Sequence, residues 1–455
     1  MTSKIVVNNI ESDSGIGSIT FTSDIELGTK NLKGHNLEST GIITATSFVG
    51  SGANLTNIPA GNLTGTIADA RISTLTASKL SGALPALDGS ALTGINAGVG
   101  TEGSVNTSGI ITATAFNYTG NQNLSNRNLI INGDFQVAQR ATSSTSEGYG
   151  SVDRFRCSFT VPSENPTQSQ VDVSSGTTPY TLGFRKAFKI QNGNQTSIAS
   201  NSNIRLMYRV ESQDVANSGW NYTSSSSFIT LSFWIKASVA QNYYGFLLNE
   251  DTNQNVFPFE TGTLTADTWT KITKTIPGNS NLTFNNDTGA GLRISVYGYL
   301  GTGSTGSMSL DTWVAYNHPS TFTPNNTSTW FTTNDATLEF TGFQLELGSV
   351  ATPFEHRSYG DQLARCMRYY QTSTDDWHSS LNSNSSFSGY SNCNVPFKVQ
   401  MRAAPTVSYV WTGNSGNTPT QQSTNFIGVN SFVALSLANS NHAFRLDSWT
   451  CSAEL

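Results

Sequence analysis

The segment Ile229–Ala237 reads ITLSFWIKA, and its apolar residues occupy every second position, except that Trp234 stands on the otherwise polar face. A period of two over a run rich in Ile, Phe and Thr is typical of a β-strand with one buried face. Arg154–Val161 and Gly291–Leu300 alternate in the same way. Since Asn- and Gly-rich turns separate these runs and helical periodicity is nearly absent, the sequence predicts an all-β fold, an antiparallel β-sandwich of jelly-roll type.

The segment Leu338–Leu347, LEFTGFQLEL, also alternates, but its apolar phase changes after Phe340. One extra residue in the strand accounts for such a change, and a glycine inside a strand often marks the insertion. The sequence therefore predicts a β-bulge at Thr341–Gly342.

The composition excludes several classes of protein. Only 12% of the 455 residues are charged, against about 25% in an ordinary globular chain. The 8 Trp, 15 Tyr and 24 Phe exclude disorder driven by excess charge. A net charge of −6 provides no general basic face for a phosphate backbone, so we expect no nucleic-acid partner. No apolar run approaches ~18 residues, so we expect no membrane insertion.

The N-terminal apolar run is too short for a secretory signal. The four cysteines are too few and too scattered for a disulfide framework. A neutral surface rich in hydroxyls and amides nevertheless suits an extracellular protein that faces glycans. A virion component that assembles in a bacterial cytoplasm and is released by lysis accounts both for the lack of a secretory signal and disulfide framework and for the glycan-facing surface. We therefore expect a virion location, with assembly in the host cytoplasm.

The part of the chain before residue 126 is poor in aromatic residues and contains repeats. Gly41–Phe48, GIITATSF, recurs almost unchanged as Gly109–Phe116, GIITATAF. A repeat this small buries too little apolar area to offset its chain entropy, so neighbours must cover it. The repeats predict an intertwined β shaft over residues 26–126 and a homotrimer, in which copies of the chain cover one another. A flexible Gly/Ser linker is the alternative.

One helix is expected after the sandwich. Ser358–Asp361 supplies residues of the capping type, and apolar residues then follow at spacings of four and three: Leu363, Met367 and Tyr370. Asn392–Val399 and Ala404–Val410 again have the character of strands. Residues 358–455 are therefore predicted to form a small β-rich C-terminal tip module preceded by one short helix.

Four segments carry a resemblance: NLIINGDF at Asn128–Phe135, VDRF at Val152–Phe155, FQLELG at Phe343–Gly348 and RCMRYY at Arg365–Tyr370. The first two resemble the opening of the receptor-binding domain of bacteriophage tail fibres, of the kind found in phages of marine cyanobacteria. The third resembles the closing strand of that domain, and the fourth is similar to the C-terminal tip of such fibres. The segment IVVNNI at Ile5–Ile10 resembles a virion-attachment start.

The resemblance implies a homotrimeric tail fibre, a structural protein with four parts. These are a virion-attachment segment (1–25), the shaft (26–126), a jelly-roll, carbohydrate-binding-like domain (127–357) and the tip module (358–455). It implies attachment to tail or baseplate proteins through the N-terminus, and recognition of a host surface glycan or outer-membrane protein without enzymatic chemistry. The alternatives are a glycan-depolymerising tailspike and a purely structural virion fibre or connector without receptor binding.

Motifs for catalysis and for cofactors are absent from the sequence, and we expect no cofactor and no metal. Gly301–Gly306, GTGSTG, superficially fits a dinucleotide loop, but it lies between β-like runs and is more simply a hairpin turn. The five histidines have no zinc spacing. Asn285–Thr288, NNDT, is either a calcium loop or an Asn/Asp turn, and the turn is favoured. A depolymerase needs two facing carboxylates, and the sandwich acids available are Glu250, Asp251, Glu260, Asp267 and Asp287.

Binding surfaces are the remaining possibility. Flat aromatic rings stack on the apolar face of sugars, and Asn, Asp and Ser bond to the hydroxyls. In the tip module, two loop regions supply such residues: Asp376, Trp377, His378, Tyr390 and Trp411. In the sandwich, the candidates are Trp220, Tyr222, Tyr243 and Tyr244. Each ring can instead pack in the core or in a trimer interface. Trp377 and His378 are favoured because acids, Ser and Asn flank them.

Overall fold

The computed structural model describes residues 38–47, 49, 56 and 126–455, the last range with gaps at 161, 253, 317–321, 327, 374–376, 380–388, 414–420 and 439–443. The chain divides into two compact units, Met1–Ile110 and Ile111–Leu455, and the fold below is that of the second. The virion-attachment segment predicted for 1–25 lies outside the described residues. So does the predicted shaft, apart from 38–47, 49, 56 and 126.

Fourteen strands are described between residues 126 and 357. They are β1 (Ser143–Ser144), β2 (Phe155–Thr160), β3 (Thr167–Asp172), β4 (Lys186–Gln191), β5 (Asn203–Glu211), β6 (Phe228–Ala237), β7 (Asn242–Asn249), β8 (Asn255–Thr263), β9 (Thr270–Pro277), β10 (Ala290–Leu300), β11 (Thr305–Gly306), β12 (Val314–Ala315), β13 (Thr323–Pro324) and β14 (Thr337–Leu347).

These strands form two large antiparallel sheets. Sheet A has six strands in the order β1-β3-β4-β14-β6-β9, and sheet B has six in the order β12-β8-β7-β10-β5-β2. The short strands β11 and β13 pair with each other in parallel. One hydrophobic core contains residues from the inner faces of both large sheets, so the predicted antiparallel sandwich of jelly-roll type is confirmed.

The alternation of β6 shows how the sequence builds this core. Leu231, Phe233 and Ile235 point inward and are fully buried, while the half-buried Trp234 lies on the outer face. Phe233 stacks on Phe343 of β14, with ring centroids 4.6 Å apart. Burial of each such side chain contributes about 1.5–3 kcal/mol, so the register of β6 is fixed by its apolar face.

The predicted β-bulge is present in β14. Thr341 is the register partner of Trp234, and Gln344 is the partner of Ser232, so two residues of β14 span one residue of β6. Gly342 has a φ of +66°, in the left-handed region that glycine adopts without strain. The prediction is confirmed, and the bulge shifts the apolar phase of β14 as the sequence indicated.

The helices of the described chain are short. They are α1 (Thr178–Thr181), α2 (Ser212–Ala216) and α3 (Tyr359–Met367), with a 3₁₀ turn at Thr302–Ser304. That turn leads directly into β11, which pairs in parallel with β13, so the glycine-rich segment 301–306 is a 3₁₀ turn followed by a short strand, and the predicted hairpin turn is wrong. Among the helices that the structure describes, none has the length and apolar character needed to cross a bilayer.

Helix α3 begins as the sequence predicts. The hydroxyl of Ser358 accepts a hydrogen bond from the backbone N–H of Asp361 at 3.3 Å, which is an N-terminal cap. The buried face differs from the predicted one, because Gln362 and Cys366 are buried while Leu363 is half-buried. The side-chain oxygen of Gln362 faces the sandwich and accepts a hydrogen bond from the backbone N–H of Asn132, at 3.1 Å. This bond allows the polar side chain to be buried.

Seven strands follow α3. They are β15 (Tyr370–Ser373), β16 (Trp377–Ser379), β17 (Gly389–Pro396), β18 (Thr406–Gly413), β19 (Gln421–Asn425), β20 (Ser431–Ala438) and β21 (Phe444–Ser452). Three of them, β15, β16 and β18, pair with β21, and the others form a sheet in the order β17-β20-β19. The two predicted strands of this module are β17 and β18, with shifted ends. The expected β-rich module preceded by one helix is thus confirmed.

Buried charges join this module to the sandwich. The guanidinium of Arg154 lies 5.2 Å from the ring of Tyr208 and 3.4 Å from that of Tyr369. It also donates to the carboxylate of Glu454 at 2.5 Å, and Arg154 is fully buried. Because a buried charge needs a close partner, these contacts hold the module directly against sheet B.

Candidate functional site

A cleft of about 500 Å³ lies on the outer face of sheet B, where β7 begins. Tyr244 supplies its aromatic ring, and the other lining residues carry amides: Gln241, Asn242, Asn325 and Asn326. The last two belong to the connection that follows β13. Residues 297–300 of β10 line the adjoining space. We call this site the Tyr244 cleft.

The alternation of β7 decides which of its two tyrosines reaches the cleft. Tyr243 is 1% exposed, lies in the core, and donates its hydroxyl to the carbonyl of Val239 at 2.8 Å. Tyr244 therefore falls on the outer face, where it is half-buried and opposite Glu260 of β8. Burial, and then the charge of Glu260, raise the pKa of Tyr244. Its phenol is therefore protonated at neutral pH and can donate a hydrogen bond.

Gln241 has a structural role at the edge of the cleft. Its side-chain oxygen accepts hydrogen bonds from the backbone N–H groups of Thr329 and Trp330, at 3.0 and 3.2 Å. Its side-chain nitrogen donates to the hydroxyl of Ser328 at 3.0 Å. These bonds fix the segment that carries Asn325 and Asn326 against the start of β7.

Asn325 and Asn326 each use one half of their amide to hold the fold. The oxygen of Asn325 accepts from the hydroxyl of Thr305 at 3.0 Å, and the nitrogen of Asn326 donates to the carbonyl of Pro324 at 3.2 Å. Within the described residues, the nitrogen of Asn325 and the oxygen of Asn326 have no protein partner. The cleft thus presents one donor and one acceptor from adjacent residues, a combination that suits neighbouring hydroxyls.

Glu260 is the acid beside Tyr244, and Asn242 holds it. The side-chain nitrogen of Asn242 donates to Glu260 at 2.6 Å, and the oxygen of the same amide accepts from Thr261 at 3.4 Å. Glycoside hydrolysis uses two carboxylates on either side of the scissile bond. The residues lining the Tyr244 cleft supply amides and a phenol, which are groups for binding.

The acids at the other end of β7 stabilise the fold. Glu250 forms ion pairs with Arg209 and Arg293, at 2.6 and 2.9 Å. Asp251 accepts hydrogen bonds from the hydroxyl of Ser212 at 2.7 Å and from the amide nitrogen of Asn285 at 2.8 Å. Both carboxylates are therefore occupied by protein groups.

The candidate calcium segment Asn285–Thr288 is a turn. Asn286 has a φ of 55°, and the carboxylate of Asp287 accepts from the backbone N–H of Gly289 at 2.8 Å, as in an Asx turn. The amide oxygen of Asn286 accepts from Asn217 at 2.6 Å. In the part of the chain that the structure describes, no group of three or more His, Cys, Asp or Glu residues is placed to hold a metal ion.

Two of the predicted sandwich residues are core residues, which corrects their assignment to a ligand site. Trp220 is 4% exposed, and its indole N–H donates to the carbonyl of Ser227 at 3.3 Å. Tyr243 is the second, as described above. Tyr222 is half-buried and meets Phe284 edge to face at 4.9 Å. Of the four aromatic residues predicted here, Tyr244 is the one that lines the cleft.

The predicted tip residues lie in strands. Trp377 and His378 belong to β16, so the expected loop location is corrected. Trp377 and Trp411 are both register partners of Leu446, from opposite sides of β21, and Tyr390 lies in β17. The side chains of Trp377, His378, Tyr390 and Trp411 lie outside the described part of the structure, as does the whole of Asp376. Their role as ligand groups stays a prediction.

Sequence reasoning missed Asn325 and Asn326. The available signal was the polar run TPNNTS at residues 323–328, which resembles many other polar runs of this chain. Nothing in its spacing from Tyr244 indicates that the two segments meet. Their proximity depends on the path between β10 and β14, which the hydrophobic pattern does not specify.

The fold and the cleft define the class: a jelly-roll β-sandwich with an open, amide-lined cleft on one outer sheet face. No family model matches the sequence, and no curated protein matches it. Structural neighbours include a phage tailspike domain and carbohydrate-binding modules.

Three neighbours illustrate the likeness. The enzymatically active domain of tailspike protein 4 of bacteriophage CBA120 matches with a TM-score of 0.26 and 9% identity, over 49% of this chain and 21% of its own. The family 11 carbohydrate-binding module of Clostridium thermocellum, in complex with a β-1,3-1,4-mixed-linked tetrasaccharide, matches with a TM-score of 0.20 and 11% identity. The match covers 45% of this chain and 91% of that module. A family 30 carbohydrate-binding module matches with a TM-score of 0.22 and 10% identity, and the match covers 49% of this chain and 88% of that module.

Proposed function

We propose that this protein is a bacteriophage tail fibre that binds a host surface glycan, without catalysis, in the Tyr244 cleft. The observation that carries the proposal is the half-buried ring of Tyr244 beside a donor on Asn325 and an acceptor on Asn326, neither of which is bonded to another group in the described part of the chain. A sugar places its apolar face on the ring and bonds adjacent hydroxyls to the two amides.

The strength of one such site is limited. An aromatic contact contributes about 0.5–1.5 kcal/mol beyond the area that it buries, and each neutral hydrogen bond contributes about 0.5–1.5 kcal/mol. One ring and two hydrogen bonds together supply about 1.5–4.5 kcal/mol, so even the upper end of this range reaches only a Kd of about 1 mM. Linking several sites in one particle raises apparent affinity by about 10²–10⁴, so a multivalent fibre makes a weak glycan site useful.

Exposed apolar residues in the first unit support the homotrimer. Ile42 and Val49 are 96% and 99% exposed, and Ile43 is 47% exposed. A single chain gains nothing from placing these side chains in water, because each buried aliphatic residue contributes about 1.5–3 kcal/mol. We propose that sister chains cover them in a shaft, with the N-terminus attached to tail or baseplate proteins of a virion.

The carboxylates support binding without hydrolysis. Glu260 is held by Asn242, and Glu250 and Asp251 are occupied by ion pairs and hydrogen bonds. A general acid and a nucleophile both need room to reach the scissile bond. The depolymerase alternative would require one of these three acids to leave its present partner, or a catalytic role for Asp267 or Asp287, the other two candidate acids.

Adsorption of the purified full-length protein to host and non-host cells tests the proposal. Tyr244→Ala is expected to weaken host adsorption about tenfold or more, since each of several copies loses part of its affinity. The matched control is Tyr359→Ala, which removes a tyrosine that is 55% exposed and does not line the cleft. Adsorption that Tyr244→Ala leaves unchanged contradicts the cleft assignment.

Two treatments of the same samples separate the alternatives. Periodate oxidation of host glycans is expected to abolish adsorption, whereas protease treatment of the cells is expected to leave it intact. The opposite pattern would favour an outer-membrane protein as receptor. Release of reducing sugar from purified host glycan would show a depolymerase and contradict the non-catalytic function.

A further inference from the structure

A second cleft, of about 350 Å³, lies on the outer face of sheet A, on the opposite side of the sandwich from the Tyr244 cleft. Its volume falls within the ordinary range for small-molecule sites. Its walls combine aromatic rings with a lysine: Trp234, Phe184, Phe354, His356 and Lys271. We call it the Trp234 cleft.

Trp234 is an unusual residue for its position. The outward positions of β6 carry polar side chains at Thr230, Ser232 and Lys236, and aromatic ones at Phe228, where the strand begins, and at Trp234. Trp234 does not contribute to the main core between the sheets, and it remains half-buried. An indole on the outer face of a sheet, at the wall of a cleft, supplies a flat apolar surface to a ligand.

The β-bulge shapes the cleft beside Trp234. A Cβ atom at Gly342 would lie 2.6 Å from the ring of Phe184, so the glycine makes room for that ring. The Phe184 ring lies 5.0 Å from Phe354 and 5.1 Å from His356, and the imidazole Nε2 is 2.9 Å from the carbonyl of Leu182. The three rings contact one another and form one wall of the cleft.

The segment that carries Phe354 is held rigidly. The carboxylate of Glu346 accepts from both the backbone N–H and the hydroxyl of Thr352, at 2.8 and 2.5 Å. The amide oxygen of Gln344 accepts from the backbone N–H of Glu355 at 2.8 Å. A preformed wall loses little conformational entropy when a ligand enters, so the cleft is prepared for binding.

Lys271 of β9 is the register partner of Trp234 and lies directly beside it. The other lysines of the sandwich strands bond to acids or to an amide: Lys186 to Asp172, Lys236 to Glu339, Lys274 to Asp311 and Lys189 to Gln191. Within the described residues, the ammonium of Lys271 has neither a carboxylate within 4 Å nor a hydrogen-bond partner. The cleft therefore offers a positive charge next to the half-buried ring of Trp234, which packs on one side against the small cluster that contains Phe184.

We propose that the Trp234 cleft is a second glycan-binding site, specific for a hexose that carries a carboxylate. The sugar ring stacks on Trp234, and its carboxylate lies beside the ammonium of Lys271. Each chain then carries two glycan sites, one on each face of the sandwich, and the acidic glycan binds in the Trp234 cleft. This site is independent of the Tyr244 cleft, and it adds a preference for charge that the amide-lined cleft does not supply.

Titration of the full-length protein with oligogalacturonate and with its fully methyl-esterified form tests the proposal, because the ester keeps the ring and removes the charge. The parent is expected to bind the acid about two- to fivefold more tightly than the ester, the range of a partly exposed ion pair. Lys271→Gln is expected to abolish this difference in affinity and to leave the affinity for the ester unchanged. Trp234→Ala is expected to weaken both ligands about tenfold.

Three controls keep the test specific. Lys186→Gln removes a paired lysine from the same sheet and is expected to leave the acid preference intact. Trp234→Phe keeps an aromatic face and is expected to retain most of the affinity, which separates stacking from a general loss of fold. Tyr244→Ala is expected to leave oligogalacturonate binding intact, so failure at one cleft is distinguishable from failure at the other.

Several results would overturn the proposal. They are equal affinity of the parent for acid and ester, absence of binding of both, and unchanged binding by a folded Trp234→Ala protein. Loss of the acid preference in Lys186→Gln would show a general charge effect and would also overturn it. A change of oligomeric mass in Trp234→Ala would show that another copy of the chain occupies the cleft.

Discussion

Replacing Glu211 with alanine is expected to weaken the packing of the C-terminal module on the sandwich. Glu211 lies at the end of β5 and is fully buried. Its carboxylate accepts from the guanidinium of Arg368 at 2.9 Å, from the hydroxyl of Tyr369 at 2.5 Å and from the amide of Gln213 at 2.6 Å. Since Arg368 and Tyr369 directly follow α3, one carboxylate joins the two parts of the chain.

The size of the effect follows from burial. Removing one partner of a buried ion pair destabilises a protein by about 3–5 kcal/mol, because the other charge is left uncompensated. The side chain of Arg368 is 31% exposed, so water reaches part of the guanidinium, and we expect the lower end of this range. The buried hydroxyl of Tyr369 also loses its acceptor, which keeps the loss above that of a surface pair.

Urea unfolding followed by tryptophan fluorescence measures this loss. Glu147→Ala is the matched control, because the pair of Glu147 with Arg156 has side chains 35% and 30% exposed and is expected to contribute less than about 1 kcal/mol. A loss for Glu211→Ala no larger than that for Glu147→Ala would refute the assignment of Glu211 as the joint between the two parts.

Three further variants have defined outcomes. Gly342→Ala is expected to lower the free energy of unfolding by about 1–3 kcal/mol, because φ is positive and the Phe184 ring is too close for a Cβ. Burial raises the pKa of Asp134 above its ordinary 3.8. The stability that Asp134 contributes is therefore complete below pH 3.8 and is lost as the pH rises through the raised pKa, so Asp134→Asn is expected to unfold at higher urea than the parent at neutral pH. Ile42→Asn combined with Val49→Asn is expected to reduce the fraction of the proposed trimer in sedimentation.

Controls accompany each of these. Gly360→Ala in α3, where a Cβ meets nothing within 4 Å, is expected to be neutral or stabilising, and an equal loss at both glycines contradicts the strain argument. The advantage of Asp134→Asn is expected to shrink as the pH falls toward 3.8; a difference independent of pH contradicts the burial argument. An unchanged mass for the doubly substituted chain contradicts the covering of Ile42 by sister chains.

The sheets and the bulge could be predicted because each depends on local pattern. Alternation in β6 specifies which residues face the core, and the phase change at Gly342 requires one extra residue in β14. The cap of α3 is equally local, since Ser358 and Asp361 are three positions apart. Interactions between residues that lie within about ten positions of each other determine these features, so they can be predicted from a single sequence.

The candidate sites depend on contacts between distant segments, and the sequence predicts them poorly. Tyr244 was identified as an aromatic residue in polar surroundings, but its partners Asn325 and Asn326 come from a connection far along the chain. Trp220 has equally polar neighbours in sequence, yet it packs in the core. Trp234 was visible as an exception to alternation, and its use as a cleft wall depends on Phe184 and the bulge.

Calorimetric titration of the full-length protein with purified host surface glycan tests the central claim most directly, with the parent, Tyr244→Ala and Tyr359→Ala compared at equal folded concentration. The account predicts saturable binding by the parent and by Tyr359→Ala, with an affinity for Tyr244→Ala at least about tenfold lower and no sugar released. Indistinguishable affinities for all three proteins, or release of oligosaccharides during the titration, would contradict it.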